Sequence, residues 1–70
     1  MEIVLNGQPR EVGLDPQEAT VDGLIAALEM KSDRIAVERN GKIVRRSEWL
    51  ATRVESGDRF EIVHFVGGGM

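Results

Sequence analysis

Seventy residues leave room for one domain, and a chain this short buries only about 60% of the surface its unfolded form exposes. With no cysteine, one histidine and no tyrosine, disulfide frameworks and cysteine-ligated zinc are excluded, and no metal site or catalytic constellation is expected. A net charge of −3 with no basic cluster beyond Arg45-Arg46 argues against nucleic acid, and the absence of a long apolar run argues against a membrane span, so a cytoplasmic protein is expected.

In chain order, Glu2-Ile3-Val4-Leu5 reads as a short strand running into Asn6-Gly7, a pair suited to two-residue hairpins because both residues tolerate positive φ. A second strand is predicted around Gln8 to Val12, with Pro9 near its start, and Gly13 to Glu18 reads as a loop. Thr20 is the predicted N-cap of a helix whose Val21, Leu24, Ile25 and Leu28 form one apolar stripe. Asp22 and Lys31 are placed to match the dipole at its two ends. Gly23 weakens that helix by roughly 1 kcal/mol and is expected to let another backbone pack close. Ile35 to Glu38 and Lys42 to Val44 flank Asn40-Gly41 as a second hairpin. Ser47 to Ala51 reads as a helical turn tucking Trp49 and Leu50 against the core. Gly57-Asp58 is a turn, and Arg59 to Val66 is the longest strand pattern.

The order β-β-α-β-β-β predicts an α+β domain over residues 1–66, a mixed sheet of four to five strands on one helix, followed by a flexible glycine-rich tail over 67–70. One helix covers one face of a sheet. On the last strand Phe60 and Ile62 share one parity while Val63 and Phe65 share the other. Either the first pair is the core and the second a docking surface, or the parity is reversed; the docking arrangement is the expectation.

Asn6-Gly7, Thr20-Val21 with Leu24, and Ile35-Ala36-Val37 form a recurring pattern with Ile43-Val44-Arg45-Arg46-Ser47-Glu48-Trp49, Gly57-Asp58, Glu61-Ile62-Val63 and Phe65-Val66-Gly67-Gly68-Gly69. Together they resemble the ThiS family, the sulfur carriers of thiamine thiazole synthesis, over nearly the whole chain. The resemblance implies a ubiquitin-like β-grasp fold. It also implies that a ThiF-like partner, using ATP and Mg²⁺, adenylates the C-terminal glycine carboxylate. A sulfur donor system then converts it to a thiocarboxylate, and a ThiG-like thiazole synthase receives the sulfur. The carrier is then no enzyme, binds no cofactor itself, and is expected to be a monomer when free.

The residue types suit that chemistry. A terminal carboxyl ionises near about 3.3–3.7 and is unreactive at neutral pH until it carries a good leaving group. Gly67, Gly68 and Gly69 lack Cβ and so can thread a narrow channel. Ordering them costs backbone entropy, which contact through Val63, Phe65 and Val66 is expected to offset. Read without the upstream pattern, the same glycines are simply a frayed end. Met70 departs from the family pattern: a peptidase removes it, it is foreign to the native chain, or the protein is inactive until modified. Removal, leaving Gly69 terminal, is the expectation.

His64 is expected to be a surface histidine on a strand edge, Trp49 to fill the edge of the core, and Arg45 and Arg46 to pair on the surface. Two other functions share these features: a molybdopterin, tRNA or cysteine sulfur carrier of the same fold, and a ubiquitin-like binding module that never forms a thiocarboxylate.

Overall fold

The computed structural model describes residues 1–65, apart from the side chain of Ser32. Five strands, β1 (Glu2–Leu5), β2 (Gln8–Glu11), β3 (Ile35–Arg39), β4 (Lys42–Val44) and β5 (Arg59–His64), form one sheet in the order β2-β1-β5-β3-β4. The pairings are antiparallel except that of β1 with β5, which is parallel, so the chain's first and last strands lie side by side at the centre. Both hairpins turn through Asn-Gly pairs. Asn6 and Gly7 have φ of 50° and 84°, and Asn40 and Gly41 have φ of 53° and 87°, the left-handed pair that matches strand twist.

The single helix, α1 (Val21–Ala27), packs on one face of the sheet. All its first-turn amides are satisfied. Val21 donates to the Thr52 carbonyl at 2.9 Å, Asp22 to the Trp49 carbonyl at 3.1 Å, and Gly23 to Thr20 Oγ1 at 3.1 Å. The segment 49–54 is therefore the socket for the helix N-terminus, and the Val54 amide adds a bond to Ala19. The helix is shorter than its sequence stripe, because Leu28 is the C-cap and Glu29 adopts φ of 59°. Glu29 donates to Ala26 and Met30 to Ile25, a Schellman ending. Lys31 consequently lies beyond the helix, and its last turn carries no basic residue.

The core is Ile3, Leu5, Val37, Phe60 and Ile62 from the sheet against Val21, Leu24 and Ile25 from the helix, closed at the edges by Val12, Val44, Trp49 and Val54. Trp49 is buried and donates Nε1–H to the Val44 carbonyl at 3.1 Å, as a buried indole must. The 3₁₀ turn before it is Arg46–Glu48, with Arg46 5.7 Å above the indole centroid. Leu50, expected to tuck inward, is 75% exposed: the turn that buries Trp49 at its end points the next side chain outward. Gly23 also departs from expectation. Outside its own helix, a Cβ there would meet only Thr20 Oγ1 at 3.5 Å, so no second backbone packs against it.

Candidate interaction face

The parity of β5 is settled by burial. Phe60 and Ile62 point under α1 at 1% and 5% exposure, while Val63 and Phe65 stand outward at 58% and 57%. The register sets Val63 beside Ala36 of β3, and the Phe65 amide donates to the Arg34 carbonyl at 2.8 Å, carrying the ladder one residue past β5. Val63 and Phe65 thus lie together on the face opposite the helix, directly before Val66. Val66, Gly67, Gly68, Gly69 and Met70 lie outside the described residues.

Three side chains hold β5 in this setting. The amide of Asn6, one residue after β1 ends, takes the place of a further β1 peptide: Oδ1 accepts from the Ile62 amide at 2.8 Å and Nδ2 donates to the Ile62 carbonyl at 3.3 Å. At the other end of β5, the Arg59 amide donates to Asn40 Oδ1 at 2.9 Å. Asp58, 7% exposed, gathers the surrounding turns. Its Oδ2 accepts from Arg39 Nε and from the Glu55 amide, both at 2.8 Å, and its Oδ1 accepts from Asn40 Nδ2 at 3.1 Å. Burial by itself raises the Asp58 pKa, but the bonds from the Glu55 amide, Arg39 and Asn40 outweigh it and leave the carboxyl below its ordinary value.

His64 is exposed, as expected of a surface histidine, but β5 is the central strand, so it marks the strand's end and not a sheet edge. Among the described residues no three His, Cys, Asp or Glu side chains converge as metal ligands. Sequence reasoning assigned Asn6 and Asp58 only to turns. Nothing local signals that Asn6 reaches a strand 56 residues away or that Arg39 is the partner of Asp58. Ile43, 70% exposed on β4, was read only as a strand residue; its opposite parity to the buried Val44 was the available signal.

Comparison with known proteins gives the same picture along the whole chain. A thiazole synthase of Paramagnetospirillum magneticum is 41% identical over 69 residues, and one of Magnetococcus marinus is 38% identical over 69. Each match takes in 99% of this chain, which spans 20% of the length of those proteins. The sulfur carrier protein ThiS of Bacillus subtilis is 34% identical over 65 residues, covering 93% of this chain and 96% of that one. The crystal structure of the thiamine biosynthesis protein ThiS of Geobacter metallireducens superposes with a TM-score of 0.84 at 34% identity, over 99% of this chain and all of that one. The expected β-grasp architecture is thereby met. The ThiS family model matches residues 3–69, both hairpins, the helix, the outward-facing end of β5 and the three glycines included, and the chain belongs to the ThiS family.

Proposed function

We propose that this protein is a sulfur carrier of thiamine biosynthesis that holds sulfur as a thiocarboxylate on Gly69. The observation that carries the reading is the family match from residue 3 through to Gly69, which takes in both the folded domain and the glycine run. The terminal carboxylate attacks the α-phosphorus of ATP on a ThiF-like partner, with Mg²⁺ neutralising the phosphates, and pyrophosphate leaves. A sulfur nucleophile from the donor system then displaces AMP from the acyl-adenylate, and release of that sulfur from its donor leaves –C(O)S⁻. A ThiG-like thiazole synthase receives the sulfur, a partnership supported by the two thiazole synthases that contain a domain like this one. ATP and Mg²⁺ belong to the adenylating partner, and the carrier acts as co-substrate, not enzyme.

Val63 and Phe65 supply apolar contact beside the tail, joined by Val66. Fixing them on a rigid strand confines the entropic cost of docking to the glycines. No helix among the described residues is long and apolar enough to cross a membrane, in keeping with a cytoplasmic monomer as the free form. Release of Met70 completes the reading, since a side chain at the terminus obstructs the glycine channel.

The test is incubation of the protein ending at Gly69 with ATP, Mg²⁺, the adenylating enzyme and a sulfur source, followed by intact mass. The expected result is the gain of one sulfur-for-oxygen exchange at the C-terminus, lost when Gly68 and Gly69 are deleted. A chain that binds its partners but never forms the acyl-adenylate is a binding module and overturns the carrier reading. Sulfur delivered to molybdopterin synthase in place of thiazole synthase reassigns the pathway. Intact mass of protein from its native host tests Met70: retention throughout refutes trimming.

A further inference from the structure

The sheet face opposite α1 carries two pairs of glutamates set directly across from one another, Glu2 with Glu11 and Glu38 with Glu61. Like charges in register destabilise a sheet. At the first pair the charge is relieved, because the N-terminal ammonium donates to Glu11 Oε2 at 2.9 Å. At the second pair no such cation is present: neither Glu38 nor Glu61 makes an ion pair or side-chain hydrogen bond with any described residue. This unrelieved pair sits among exposed apolar side chains. Ile43 stands beside Glu38 on β4, and Val63 with Ala36 forms a neighbouring same-face pair on β5 and β3. Apolar neighbours on both sides give the carboxylates a drier setting than an open charged surface, and one that strengthens attraction to an incoming cation.

We propose that Glu38 and Glu61 together receive a cationic side chain, an arginine or lysine set among apolar residues, from thiazole synthase docked on this face. The occupant rests on the proposed transfer of sulfur to thiazole synthase. Charge complementarity selects it over a second copy of this chain, whose identical face would bring four glutamates together. Two lone carboxylates present the four acceptor oxygens that a guanidinium fork can engage. The pair is thus a feature that costs the free protein stability and is relieved in the complex.

The test is association of the full chain with purified thiazole synthase from the same organism at low and high ionic strength, for wild type and the double variant Glu38→Gln, Glu61→Gln. The variant is expected to be as thermally stable as wild type or more so, while associating about tenfold more slowly at low salt, with a nearly flat salt dependence. A purely structural role for the two residues moves stability the other way and leaves association alone. Equal rates and equal salt dependence overturn the proposal while the partnership stands. Absence of wild-type binding removes the partnership as well, and thiocarboxylate formation, scored separately, shows whether the carrier reading survives. A homodimer in sedimentation that is lost on changing Glu61 to Gln or Val63 to Ser also overturns the proposal, since the face then serves a second copy.

Discussion

Glu29 holds φ at 59° just past the end of α1, a conformation in which an L-residue is strained by roughly 1–2 kcal/mol, whereas Gly23 lies within the helix where alanine fits without a clash. Gly23→Ala is expected to raise stability by roughly 0.5–1 kcal/mol, and Glu29→Gly by a similar amount once the glycine's greater unfolded-state entropy is set against the relieved strain. Urea unfolding of each variant checks both. Asp58 supplies a pH-dependent contribution. Its folded pKa is lowered, so the stability it adds is complete above the unfolded value of about 4 and is lost as pH falls through the folded value. Asp58→Ala also strands Arg39, Asn40 and the Glu55 amide, at a cost of about 2–4 kcal/mol near neutral pH. Melting temperatures of the two proteins should therefore differ most above about pH 4 and converge below it. At this scale the cap was legible, because Thr20 acts on an amide three residues away. The partners of Asp58 were not, because Arg39 and Asn40 lie 19 and 18 residues from it in the chain.

The two Asn-Gly hairpins were legible as elements, since the turn chemistry fixes φ locally. The helix start was legible for the same reason. Its early end was not, because the apolar stripe continues through Leu28 while the backbone turns away at Glu29. Strand β5 shows how an element's setting depends on distant groups. Asn6 grips Ile62 on the β1 side while β3 pairs its other side, so Asn6 guards the register that turns Ile62 in and Val63 out. Asn6→Gly keeps a residue suited to positive φ and removes only the amide. It should cost about 1–2 kcal/mol for the two lost bonds and speed hydrogen exchange at the Ile62 amide well beyond that at the Val37 amide. Equal exchange at both would show that β1 and β3 hold β5 without the clamp.

Across the whole molecule, two layers leave one covered face and one open face, and substitutions on the two sides of β5 should separate accordingly. Phe60→Ala hollows a core with few residues to spare. It is expected to cost about 3–5 kcal/mol, a large share of the 5–15 kcal/mol that holds a domain together, and to leave much of the chain unfolded on mild heating. Val63→Ser, two pleats along and facing out, should shift stability by less than about 0.5–1 kcal/mol yet weaken docking of the partner several-fold. Circular dichroism melts beside binding measurements distinguish the two. By itself the sequence determined the order of elements, both hairpin turns, the helix cap and the two alternating stripes of β5, all of which arise between residues a few positions apart. Only the tertiary structure decided which stripe is buried, which carboxylates meet across strands and which side chain pins the last strand. Those outcomes depend on β1 and β3 flanking β5, and strands brought together from distant parts of the chain leave no trace in the local pattern.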